Sequence, residues 1–380
     1  MWLVFSLCVL IGIAISLALP CNANGIRSDE ETETQSSERA TSSESPLLIA
    51  SWGEHRYVYE PSFLPVPQQS KIEHAHGIVI DQTDNGAIII TYQDEADQSK
   101  CLLRWRNITA PAEVVGPKDA SLCKGIPHGL IAAIEDDESS SINVLYHANN
   151  EQALHKTNMN GDILWTVDGK LDQKSARNSD HHYSTNDKHD SYSPTWFASQ
   201  PESPYIYLAD GYGSSKIYVL NKINGNYTGY SFGGIGTEHG KFQTSHSVAY
   251  DPRFDEMVVC DRENHRLEYF RVDKGDPSVF DYLRTVSFDP LLRRPCNIRV
   301  RQDDGYAIVA FLEGSVGILD NENSLVDVIN VTASLGDRGF LHPHDAHFVP
   351  GTSGDFVVVT WNPGRIGYFR RVAASSESWQ

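Results

Sequence analysis

Four histidines in this chain stand at one position of a recurring segment, where a fold could gather them on a metal ion. The segments are HAHGIVID (74–81), IPHGLIAA (126–133), SPTWFAS (193–199), TSHSVAYD (244–251), RPCNIRV (294–300) and HPHDAHFV (342–349). Their common position holds His76, His128, Thr195, His246, Cys296 and His344, at intervals of 52, 67, 51, 50 and 48 residues. Only 15 of the 380 residues are histidine, so four in six equivalent places is far above chance. Three neutral imidazoles that leave one position open make a catalytic zinc site, in which the metal acidifies a bound water or alcohol. Any one of these histidines alone reads more simply as a core residue bonded to backbone carbonyls.

The elements that must position them follow from the period. Each segment is a short apolar strand, and further strands follow it, such as GAIIITYQ (86–93), YIYLADGYG (205–213) and MVVCDRENHRLEYFRV (257–272). Alternating apolar and polar residues broken by turn residues mark antiparallel hairpins. A repeat of about 50 residues with several strands per unit is a propeller blade, so the sequence predicts an all-β, six-bladed β-propeller over residues 47–374. Its first and last blades must meet, because an unclosed ring would expose sheet edges. The opening strand of each blade lines the central channel. His128, His246 and His344, in blades two, four and six, are then related by a pseudo-threefold axis and converge.

His76, in blade one, is a fourth ligand, a base or a channel-lining residue, and the sequence leaves all three open. His74, His342 and His347 flank the registers at other heights and are weaker candidates. Asp345 follows His344, and the pleat turns it away from the zinc. It is either a carboxylate for a second, hard cation, which prefers oxygen ligands, or a surface aspartate.

The formal net charge of −19 and pI near 5.1 argue against nucleic acid or an anionic membrane surface as partners. Residues 2–20 are almost wholly apolar and end at small residues near Ala23, the pattern of a signal peptide over 1–23; an uncleaved membrane anchor is the alternative. Residues 24–46 read as a disordered acidic Ser/Thr-rich spacer and 375–380 as a tail. A secreted or extracytoplasmic protein with no membrane attachment after cleavage is expected. Four cysteines remain outside the leader; Cys101 with Cys123 is the favoured disulfide, since both flank one inter-blade segment. Sequons at Asn107, Asn226 and Asn330 are compatible with a glycoprotein. The long interval of 67 places an insertion, SARNSDHHYSTNDKHDSY (175–192), in blade two. Its His181, His182 and His189 suit a lid or a metal-binding loop less well than a solvated polar insertion.

The order IPHGL, PTWFA, LADGYGSSKIYVL, SHSVAYDPRFDEMVVCDRENHRLEYF and HPHD resembles the catalytic core of the peptidyl-α-hydroxyglycine α-amidating lyases, which are NHL-repeat propellers. The likeness runs loosely over residues 70–370 and is close around 205–270. It implies zinc on His128, His246 and His344, with Tyr212 as catalytic base and Arg262 as its charge partner. It also implies a structural calcium on Asp345 and the carbonyls of Leu130 and Ile78. The implied reaction breaks the C–N bond of a carbinolamide, on a peptide or small molecule, to an amide and an aldehyde such as glyoxylate. A monomer is expected.

The chain departs from that family in four ways. Where the family has a second arginine, IIITYQ places Tyr92 or Gln93, and His76 replaces a small residue. Paired cysteines around Tyr212 are missing, and the residues present carry no hydroxylating domain, so only a lyase half-reaction is expected. Competing readings are a non-catalytic NHL propeller stapled by a metal that binds a protein or glycan and, less well supported by imidazole registers, a propeller lactonase.

Overall fold

A computed structural model describes residues 46–49, 51–116, 119–137, 140–151, 153–167, 192–288 and 292–373. The expected leader, acidic spacer, C-terminal tail and the histidines of the blade-two insertion lie outside the described residues. Six small antiparallel sheets form the expected six-bladed β-propeller. Their channel-lining strands are Ile72–Asp81, Pro127–Asp137, Trp196–Ser199, Ser245–Asp251, Pro295–Val300 and Pro343–Phe348. Each blade continues outward through hairpins, as in Ser245–Asp251, Glu256–Asp261, Arg266–Val272 and Phe280–Ser287 of blade four.

Closure uses the N-terminal strands. Arg56–Tyr59 pairs with Arg365–Val372, placing Tyr59 opposite Phe369, and so completes blade six. Leu47–Ile49 adds a fifth strand outside it, and Ser51–Gly53 lies along Leu325–Asn330 at the edge of blade five. The pairing covers the edge that Arg365–Val372 would otherwise present and ties the N-terminal strands to blade six.

The core lies between blades. Ile78 and Ile90 of blade one pack with Val357 and Val359 of blade six, and Val258 and Leu267 of blade four pack with Ile298 and Val309 of blade five. This is why both faces of the strands are apolar: each sheet is covered on two sides. The Cys101–Cys123 disulfide is present and ties blade one to the segment leading into blade two. Cys260 and Cys296 are free and buried. Among the described residues no helix is long and apolar enough to cross a membrane.

Candidate functional site

The register histidines point into the channel because their strands are bulged there. In blade one the pairing jumps from Ala75–Tyr92 to Ile78–Ile90, and in blade two from Pro127–Asn149 to Leu130–His147. Blades four, five and six skip one residue each, at His246, Cys296 and His344. A bulge places an extra, unpaired residue in one strand and re-aims its side chain. Blade three, whose register residue is Thr195, keeps a regular ladder.

Each even-blade histidine is then fixed by the odd blade beside it. His128 Nδ1 lies 2.8 Å from the Thr195 carbonyl, His246 Nδ1 2.8 Å from the Cys296 carbonyl, and His344 Nδ1 3.2 Å from the His76 carbonyl. A carbonyl only accepts, so each Nδ1 carries the proton and each Nε2 presents a lone pair. This is the support that metal-binding histidines generally receive. The bare imidazole nitrogens are then close together. His246 Nε2 is 3.1 Å from His344 Nε2, and nitrogens of His76, His128 and His344 all lie within 4.8 Å of one another.

Two lone pairs facing at 3.1 Å repel unless a cation sits between them. The separation is near the roughly 3.3 Å edge of a tetrahedron drawn with zinc–nitrogen bonds of about 2.0–2.1 Å. His128 Nε2 is buried without a hydrogen-bond partner, which also suits a metal ion. None of the four histidines is more than 2% exposed. Burial, the largest effect, holds His128 down at about 3 and lowers His76, His246 and His344 well below the ordinary imidazole value. Neutral imidazoles are the form a metal needs. His76 closes the group from blade one, its ring 4.6 Å from that of His128 and 4.7 Å from that of His344. It lacks the carbonyl anchor of the other three.

Below the cluster, the Trp196 ring lies 6.0–6.3 Å from the rings of His128, His246 and His344 and is 1% exposed, so it floors the site. Above it, the turns after the second strand of each blade form a mouth. Tyr212 stands on the blade-three turn and is 38% exposed, yet its hydroxyl reaches inward, 3.1 Å from His246 Nε2. Arg262, on the blade-four turn, donates from Nη1 to the same hydroxyl at 3.1 Å. Burial of the hydroxyl end raises the Tyr212 pKa, and the Arg262 charge pulls it down. Arg262 is held in turn by Glu263, which also pairs with Arg294 of blade five.

Asp345 is not on the surface. Its carboxylate accepts from Asn297 Nδ2 at 2.7 Å, the Ile78 amide at 2.8 Å and Arg299 Nη2 at 2.9 Å. The carbonyls of Ile78 and Leu130, which the resemblance implies as calcium ligands, are both bonded there by Arg299. Tyr92 is buried in the core, while Gln93 sits opposite His74 on the channel strand.

Sequence reasoning passed over Arg299 and Trp361. The Trp361 amide donates to the His342 carbonyl at 3.1 Å, as the Arg262 amide donates to that of Thr244 at 3.0 Å, so the two hold equivalent places on their turns. Trp361 is 41% exposed and flanked by His74 and His342, whose rings are 5.7 and 5.8 Å away. The signal was available: tryptophan directly follows the second strand of blade six, where arginine follows that of blade four.

Fold and site together define a six-bladed propeller with a buried axial histidine cluster beneath Tyr212 and Arg262. No family model matches the chain. Over 82 residues, 21% of its length, the chain is 33% identical to peptidylglycine alpha-amidating monooxygenase of Rattus norvegicus, and it is 32% identical to the Mus musculus protein over a stretch of the same length. The matched stretch spans 8% of those relatives. A solved structure with a provisional gluconolactonase name covers 82% of this chain and 97% of its own, at 12% identity and a TM-score of 0.48. Likeness at that level says nothing about chemistry. The chain therefore resembles the amidating-lyase propellers over part of its length.

Proposed function

We propose that this protein is a secreted, zinc-dependent carbon–nitrogen lyase that cleaves a carbinolamide, such as a peptide ending in α-hydroxyglycine, to an amide and an aldehyde such as glyoxylate. The observation that carries the proposal is the Tyr212 hydroxyl, 3.1 Å from both His246 Nε2 and Arg262 Nη1, beside the histidine cluster. His128, His246 and His344 hold the metal by this reading, and His76 closes the group. Zinc bound there would supply Lewis acidity toward a substrate hydroxyl.

The chain's own residues do the rest. Tyr212, as phenolate, takes the proton from the substrate hydroxyl. The oxygen's electron pair forms the C=O bond of the aldehyde, the C–N bond breaks, and the departing amide nitrogen takes up a proton from Tyr212. Arg262 stabilises the phenolate, and its positive charge offsets part of the cost of forming it in a buried place. Trp196 keeps water from entering from below. The partial match to amidating enzymes supports the same reaction class, and the Cys101–Cys123 disulfide supports an oxidising compartment.

The test is metal analysis of the purified protein together with glyoxylate release from an α-hydroxyglycine peptide. The reading expects about one zinc per chain and turnover, both lost in His246→Ala. Zinc without turnover of any carbinolamide sinks it. The near-complete burial of the histidines favours one alternative, a non-catalytic propeller stapled by the metal, for which that second outcome is expected.

A further inference from the structure

A second centre lies beyond Trp196 on the channel axis, and its geometry is that of a cation site. Three oxygens from three blades face one point: the carbonyls of Ile78 and Leu130 and a carboxylate oxygen of Asp345. The group at that point is Arg299 Nη2, which donates at 2.9 Å to Ile78 O, 3.1 Å to Leu130 O and 2.9 Å to Asp345 Oδ2. Arg299 comes from the channel strand of blade five, three residues beyond Cys296. Its guanidinium carbon lies 5.6 Å from the Trp196 ring centroid, so the indole separates it from the histidine cluster.

We propose that Arg299 is a cation built into the chain, doing at this centre what a divalent, oxygen-ligated ion would otherwise do. The charge fits: one guanidinium meets one carboxylate, and Asp345 is fully buried. The rest of the carboxylate is satisfied as well, by Asn297 Nδ2 at 2.7 Å and the amides of Ile78 at 2.8 Å and Ala346 at 2.9 Å. Both carboxylate oxygens and both carbonyls are bonded, and of the polar atoms at this centre Asn297 Oδ1 alone is buried without a partner. A calcium ion would need the place of Nη2 and would stand against a positive charge that cannot be deprotonated. The residues therefore do not fit calcium at this centre. A planar fork suits the task, because it spans acceptors on blades one, two and six from one side chain. Arg299 is in this sense a positioning residue, drawing together the blades that carry His76, His128 and His344.

The test reads metal content and thermal midpoint and is independent of turnover, so it stands or falls apart from the lyase reading. Zinc-loaded wild-type protein should contain no stoichiometric calcium, and millimolar calcium should leave its midpoint unchanged. Arg299→Ala, produced with and without calcium, uncovers three oxygens. Its midpoint should fall by several degrees and be restored by calcium more than by magnesium, which tolerates such irregular geometry poorly. Arg299→Lys, which keeps a compact charge, should retain part of the loss. One calcium per wild-type chain, or a wild-type midpoint raised by calcium, would overturn the proposal. So would an Arg299→Ala midpoint equal to wild type, or a loss that neither calcium nor lysine repairs.

Discussion

Replacing Tyr212 with phenylalanine removes one oxygen atom and leaves the ring, and that oxygen has two contacts, each 3.1 Å long, to His246 Nε2 and Arg262 Nη1. The structural loss is small. A hydrogen bond contributes about 0.5–1.5 kcal/mol net, and up to about 3 when one partner is charged. For a chain of this size the midpoint should fall by no more than a few degrees. The catalytic loss is much larger if this oxygen carries the substrate proton. Positioned proton transfer contributes about 10²–10⁴ in rate, or about 3–5.5 kcal/mol of barrier. The two effects separate in one set of measurements: zinc per chain, thermal midpoint, and single-turnover glyoxylate release. The expected result is full zinc, a near wild-type midpoint, an unchanged KM and a rate at least about 100-fold lower. A fully loaded variant within about tenfold of wild type would refute the role given to Tyr212. Zinc lost together with activity would make Tyr212 a support of the metal instead.

Three other outcomes are expected. In Gly129→Ala the new Cβ would lie 2.3 Å from the Thr195 carbonyl oxygen and 2.7 Å from the Trp196 ring, neither of which can swing away. Stability should fall by about 1–3 kcal/mol. Because that carbonyl orients His128, zinc affinity should fall about 10–100-fold by competition titration; wild-type affinity would contradict it. Acid should weaken the fold through buried neutral histidines away from the cluster. Desolvation first, then His155, lowers His147 to about 3, and desolvation, then Arg299, lowers His347 to about 4. Above about pH 6.5 neither folded nor unfolded chain protonates them; below it the unfolded chain gains protons that the fold excludes. Stability is thus intact above that pH and lost toward pH 4, by about 1.4 kcal/mol per unit for each group. Denaturant titrations of metal-free protein at successive pH values check this, and a flat profile would contradict it. Finally, Trp361→Ala should raise KM about five- to tenfold for substrates with an aromatic group beside the hydroxyglycine and leave kcat and small substrates unchanged. Equal effects on all substrates would remove Trp361 from substrate binding.

The blades and their channel registers were legible in the sequence because the repeat is marked by residue type. His128, His246 and His344 recur after proline or serine, 118 and 98 residues apart with the insertion in the first interval, and one period gives both the fold and the axis. How they are aimed was not legible. The bulges at His246, Cys296 and His344 are pairing shifts, set by partner strands, and no local pattern announces them. Thr195 and Cys296 read as gaps in the histidine pattern, yet their backbone carbonyls orient His128 and His246, a task any side chain permits. Asp345, Ile78 and Leu130 entered only as a calcium set that the family resemblance implies, and their carboxylate and carbonyls all bond Arg299. Their partner, Arg299, comes from a blade whose register carries no histidine and so drew no notice. The pairing of residues 56–59 with the last blade also escaped the repeat, because that stretch precedes the first register segment.

That last pairing governs how the molecule comes into being. Tyr59 emerges from the ribosome long before Phe369, the residue it must lie beside. Until the final blade has been made, Arg56–Tyr59 has no strand to join, and blade one has no neighbour on one side. Contacts this distant along the chain are slow to form, since loop entropy must be overcome before they stabilise anything. His344 also belongs to that last blade, and its Nδ1 partner is the carbonyl of His76. The histidine group is therefore complete only when blades one and six have met, and any metal it holds would load after blade six has been made.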